Sequence, residues 1–267
     1  MTNERRVIVH PDRNTLAGAV AARFITKTVD LIDEFGQASV VLTGGTVGIA
    51  VLESINASPA RDSVDWSRLN VWWGDERWLP SGDPERNETQ ARNALLDHVP
   101  LSPDRVHPFP SSDGGLELDA AADAYAAELA ANAMTGSDLP WFDITFLGVG
   151  PDGHIASLFP EQSGIRERDR TVIAVRNSPK PPPERLSLTL PVINSSARVW
   201  LVLSGPDKAS ALGLTLAGAS MNEVPAAAVE GRRRTLFFVD AEAAAEVPEN
   251  LIDPGQFWTG EDDTAQE

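Results

Sequence analysis

Short apolar runs alternate along this chain with longer segments whose apolar side chains recur every three or four positions. Val7-Ile8-Val9 and residues 39–42, 69–73, 142–147, 171–175, 185–190, 199–203 and 235–239 read as strands, with 142–147 the central one. Between the first two, residues 12–35 place Leu16, Ala19, Val20, Phe24, Ile25, Val29 and Ile32 at helical spacing. That segment stops at Gly36, a residue that ends helices because it accepts the left-handed conformation. Residues 48–55, 87–96, 116–134 and 207–216 are further helices, and 116–134 is alanine-rich with no interior glycine or proline. The alternation predicts an α/β fold: one domain over residues 1–260, built on a mostly parallel Rossmann-like sheet with helices on both faces. No repeat or linker divides it. The proline-rich stretch 179–183 reads as a stiff loop forming an extended wall, and residues 261–267, with Glu261-Asp262-Asp263, read as a solvated acidic tail.

Composition narrows the functional classes. A chain of 267 residues that is 42% hydrophobic can bury a full core, which excludes disordered and fibrous classes. No apolar run approaches the roughly 20 residues of a bilayer span, and Met1 to His10 lacks the apolar stretch of a signal peptide, so a cytoplasmic protein is expected. The absence of cysteine removes disulfides, thiolate catalysis and cysteine zinc sites together. No histidine pair has ligand spacing, and His10, His98 and His107 stand apart, so no metal site is expected. The net charge of −17 opposes broad contact with nucleic acid or anionic membranes. A small anion is not opposed, because a few N–H groups and two or three cations hold it whatever the total charge.

Candidate chemistry collects where strands end. Phe142 to Leu147 empties into Gly148-Val149-Gly150-Pro151-Asp152-Gly153-His154, a turn that presents backbone N–H groups beside one of only four histidines. An imidazole with an ordinary pKa of about 6.5 can take a proton from water and return it. Asp152 could orient that loop through its amides or fix the ring's tautomer. Thr43-Gly44-Gly45-Thr46 follows a strand and opens a helix, which makes it either a phosphate cradle or a tight turn without a ligand. It lacks the Walker lysine and the dinucleotide glycine spacing. In Asp75-Glu76-Arg77 the carboxylates can lock the arginine so that its fork faces an oxygen-rich substrate, or the three can form a plain surface ion pair. The preceding Trp72 and Trp73 point to opposite faces of a strand, one toward the core and the other toward the pocket. Arg185 and Lys208 lie at strand exits on the same expected edge, as phosphate partners or as ordinary surface cations.

Four segments carry a family resemblance: Leu42-Thr43-Gly44-Gly45-Thr46, Trp73-Gly74-Asp75-Glu76-Arg77, the stretch GVGPDGHIASLFP over 148–160, and 185–194 with Gly205-Pro206-Asp207-Lys208. In order and over nearly the whole length, the chain resembles the 6-phosphogluconolactonases of the pentose phosphate pathway. Their superfamily also holds glucosamine-6-phosphate deaminases and isomerases. The deaminases continue from the histidine toward a Phe-Asn-Glu-Pro segment, where this chain has Ala156-Ser157-Leu158-Phe159-Pro160, and they have an aromatic residue at the position of Arg77. Thr43 departs from the serine of many relatives and keeps the hydroxyl.

The resemblance implies hydrolysis of 6-phospho-D-glucono-1,5-lactone without a cofactor, the catalytic histidine falling on His154 and the family's arginine on Arg77. It implies phosphate contacts from Gly44, Gly45, Thr46, Arg185 and Lys208. The rival activities are a deaminase or isomerase using Asp75 as a carboxylate base, and a non-catalytic sugar-phosphate sensor.

Overall fold

The structure is a computed structural model that describes residues 4–248 and 251–252. Its centre is a six-stranded, all-parallel sheet made of β1 (Glu4–His10), β2 (Ala38–Leu42), β3 (Leu69–Trp73), β5 (Ile144–Gly148), β8 (Arg198–Leu203) and β9 (Arg234–Asp240), in the order β1-β9-β8-β5-β2-β3. The α/β class and the mainly parallel sheet expected from the sequence are those the chain adopts. The expected tail over 261–267 lies outside the described residues, as does the end of the expected domain. No helix among the described residues is long and apolar enough to cross a membrane.

Local chemistry sets the element ends. Helix α1 (Arg13–Phe35) begins where the Asp12 carboxylate accepts the Thr15 amide at 2.8 Å, and it ends at Gly36, whose φ of +76° lets its N–H close onto Ile32 O. Its apolar stripe packs Phe24 against Phe146 of β5, which meets Trp200 of β8 edge-on. The starts of β2 and β5 are tied by Asp143, which accepts hydrogen bonds from the Ser39 amide and the Trp141 indole. Burial raises the Asp143 pKa against those donors and the nearby Arg198 and Arg233.

The connectivity creates a crevice at one place. From β2 the chain crosses by α2 (Gly45–Ala57) to β3 on one side, whereas from β5 it passes to β8 on the other. The loops leaving the carboxyl ends of these adjacent strands therefore part company. Such a switch point is where parallel sheets bind ligands.

The sequence pattern did not reveal a second, antiparallel sheet of β4 (Asp75–Arg77), β7 (Arg185–Leu188) and β6 (Val172–Val175), in the order β4-β7-β6. Residues 171–175 and 185–190 are strands as expected, but they leave the main sheet. Gly74 is the junction: its N–H bonds Leu42 O of β2 at 2.9 Å, and its carbonyl accepts Leu188 N at 2.9 Å. Helix α4 (Leu118–Ala131) packs on β6 and β7 and α3 (Asn87–Ala94) on β4, while α5 (Leu190–Asn194) follows β7 and α6 (Ala209–Leu216) follows β8.

Candidate active site

The glycine turn and the histidine loop leave neighbouring strands at the switch point. Gly44 is the N-cap of α2, so Gly45 and Thr46 lie in its first turn, where unpaired amides and the helix dipole favour an anion. The helix begins three residues before the sequence pattern indicated. Gly45 has φ +84°, a conformation that favours glycine. Gly44 has an ordinary φ of −82°, and its reason is contact: an ideal Cβ there would fall 1.9 Å from Asn87 Oδ1. The two strand exits lie close together, since a Cβ built on Gly148 would come 4.0 Å from the Thr43 hydroxyl.

The histidine loop is built around its ring. Gly150 N donates to His154 O and Gly153 N to Gly150 O, closing a tight turn. A Cβ on Gly150 would strike His154 Nδ1 at 2.0 Å, and Gly153 has φ +81° with Val224 against it. The ring is mostly buried, tilted on Phe159 at 4.7 Å between centroids, and its Nδ1 bonds Asp152 Oδ1. Among the described residues nothing engages Nε2. Burial opposes ionisation of Asp152, but its hydrogen bond to His154 and that ring's charge outweigh burial and hold the carboxyl at about 2.

Between these loops lies the start of the small sheet. Asp75 is buried, its Oδ2 accepting from Ser157 Oγ at 2.7 Å and its Oδ1 from Asn87 Nδ2 at 3.2 Å. Ser157 N in turn donates to Ser187 Oγ, which joins the histidine loop to β7. Arg77 stands directly across from Arg185 in the antiparallel register and donates through Nη1 to Glu85 O. Arg185 is buried and spends its Nε on Pro182 O and its Nη2 on Lys180 O and Pro181 O. It therefore fastens the proline loop, the expected wall, and its guanidinium lies over Phe159. Lys208 follows β8 on the same sheet edge, in a short 3₁₀ turn just before α6, its Nζ 3.0 Å from Asp207.

One expectation fails and several participants are new. Trp72 and Trp73 are both fully buried. Trp72 stacks on His107 and borders a cavity of about 530 Å³ that also involves Ser39, Asn70 and Asp143, at the opposite end of the strands from the site. A strand packed on both faces leaves no room for the expected pocket wall. Asn87 and Arg86 carry no signal of their own in the sequence, and Ser157 meets Asp75 from 82 positions away; Glu76, expected to help lock Arg77, instead gathers backbone amides. Glu76 accepts the amides of Arg77, Asn87 and Glu88 at 2.8, 2.7 and 2.9 Å, with Arg86 at 3.8 Å. Burial nonetheless pushes its pKa to about 7, against Arg86 and those amides. Among the described residues no three His, Asp or Glu side chains gather as a metal ion would require.

A helix start with free first-turn amides and an oriented imidazole, both at the switch point of a parallel sheet, mark the class of α/β enzymes that work at strand carboxyl ends. The chain belongs to the family of glucosamine-6-phosphate isomerases and 6-phosphogluconolactonases, whose sequence model matches residues 11–238. It is 54% identical over 258 residues to the 6-phosphogluconolactonase of Streptomyces coelicolor, covering 95% of this chain and 99% of that protein. It is 47% identical over 242 residues to that of Mycobacterium tuberculosis, covering 90% and 97%. A crystal structure of 6-phosphogluconolactonase from Thermotoga maritima superposes with a TM-score of 0.76 at 26% identity, over 89% of this chain and all of that one.

Proposed function

We propose that this chain hydrolyses 6-phospho-D-glucono-1,5-lactone to 6-phospho-D-gluconate, with His154 as the general base. The lactonase activity is supported by relatives of that name at 54% and 47% identity over nearly the full length. The role of His154 is supported by one geometric observation: Asp152 occupies Nδ1, which leaves Nε2 as the nitrogen able to take a proton.

In this reading the phosphate sits against the first-turn amides of α2, with Lys208 and the uncommitted hydrogens of Arg185 as its cations. Anchoring that end orients the ring ester toward His154, so binding energy is spent on position. Nε2 removes a proton from water as the water oxygen attacks the lactone carbonyl carbon. Arg77 or loop amides stabilise the resulting oxyanion. Collapse breaks the bond to the ring oxygen, which takes the proton from the imidazolium, and the new carboxylic acid ionises in solvent. Asp152, ionised throughout, holds the ring and stabilises its charged form.

The test is a coupled assay in which glucose-6-phosphate dehydrogenase supplies the lactone and its disappearance is followed above spontaneous hydrolysis. His154→Ala should lower kcat by about 100-fold or more with a modest change in KM. Turnover like that of the unaltered chain would remove His154 from the reaction.

A further inference from the structure

We propose that Asn87 is the positioning residue that sets the anion turn against the ester-facing half of the site; this rests on the lactonase reading. Asn87 is buried, and its side chain reaches both halves. Nδ2 donates to Asp75 O at 2.8 Å and to Asp75 Oδ1 at 3.2 Å, so the amide orientation is fixed by two acceptors. Oδ1 then faces away from Asp75, has no hydrogen-bond partner, and lies in the space a side chain on Gly44 would occupy. A Gly44 Cβ would come within 2.5 Å of Asn87 Cγ as well, so the amide rests on the glycine backbone itself.

The arrangement explains why the turn carries two glycines. Gly45 answers to its own φ of +84°, whereas Gly44 adopts dihedrals open to any residue and is glycine because Asn87 needs the room. Asn87 is itself immobilised from behind: Glu76 accepts its backbone amide and also that of Arg77, two residues beyond Asp75. One contiguous set of contacts therefore runs from the start of α2 through Asn87 and Asp75 to Ser157 in the histidine loop. Its length fixes the separation between the phosphate grip and the groups that meet the ester. A small misplacement across such a span is costly to catalysis because both ends of the substrate must be engaged at once.

The test is a mutant cycle of Gly44→Ala and Asn87→Ala, alone and together, assayed on the phosphorylated lactone and on D-glucono-1,5-lactone, with calorimetric titration of 6-phosphogluconate. Gly44→Ala should reduce kcat/KM for the phosphorylated substrate by about 100-fold, and Asn87→Ala by about tenfold. The double variant should recover to about the level of Asn87→Ala, because the added methyl then has space. Asn87→Ala should cost several-fold less on the unphosphorylated lactone, which spans only one half of the site, than on the phosphorylated one. Losses that multiply in the double variant, or an equal loss on both lactones, would overturn the proposal. Should Asn87→Ala fail to fold, Asn87→Ser, which also frees the space at Gly44, takes its place in the cycle. An unaltered chain that neither opens the lactone nor binds 6-phosphogluconate would instead refute the lactonase reading.

Discussion

At the scale of single residues, the site depends on side chains denied their alternatives. The His154 ring is held by Asp152 on one nitrogen and by Phe159 beneath, and the missing side chain at Gly150 gives it room. Arg185 and Lys208 looked equivalent as strand-exit cations, but they differ in how far their donors are committed. Among the described residues, three proline-loop carbonyls occupy Arg185, while Lys208 pairs with the exposed neighbour Asp207 alone. Of these two, Lys208 is the one whose donors are less committed among the described residues, so in the proposed reading it is the stronger phosphate partner. Lys208→Ala is expected to raise KM for the phosphorylated lactone by about tenfold or more, with kcat changed less, since a charged hydrogen bond contributes about 1.5–3 kcal/mol. Steady-state kinetics against lactone concentration would check this, and an unchanged KM would move the phosphate elsewhere.

At the scale of elements, the junction between β4 and α3 carries the risk. The amides of Asn87 and Glu88, at the start of α3, have no capping side chain of their own, and Glu76 of β4 accepts both. Its carboxyl ionises near 4.5 in an unfolded chain and near 7 in the folded one. Between those pH values the folded state binds the extra proton. The Glu76 contribution to stability is therefore full below about 4.5, falls by up to about 1.4 kcal/mol per pH unit as pH rises toward 7, and is level above. Glu76→Gln should abolish that decline. It should also cost about 1–3 kcal/mol at pH 5, because its amide NH2 would face a backbone N–H where an oxygen now accepts. Urea unfolding of both proteins at pH 5 and 7.5 gives the comparison, and parallel pH dependences would contradict the assignment.

At the scale of the whole molecule, one sheet edge gathers what the chain scatters. The glycine turn, Asp75 and Arg77, the histidine loop and Lys208 follow β2, β3, β5 and β8, consecutive along the chain within the main sheet and adjacent in space. The cations of the site, Arg77, Arg185 and Lys208, are few and local, while the molecule as a whole carries −17. Duplex DNA and vesicles of anionic lipid should accordingly fail to bind at about 150 mM salt, where only neighbouring charges are felt. Gel retardation and vesicle co-sedimentation would show this, and saturable binding to either would reveal a surface that net charge conceals.

Much of this protein could be read from the order of its residues. Strand and helix periodicities, the helix stop at Gly36, the two glycine turns and the lone framed histidine all depend on neighbours within a few positions, and such signals survive in a linear chain. Only the tertiary structure decided that β4, β6 and β7 form a sheet of their own, that Trp72 and Trp73 are both interior, and that Arg185 holds a loop. The same is true of Asp75 meeting Ser157, 82 positions away, and of Asn87 resting on Gly44. Those outcomes are set by which surfaces pack together, and packing joins residues whose separation along the chain carries no local signature.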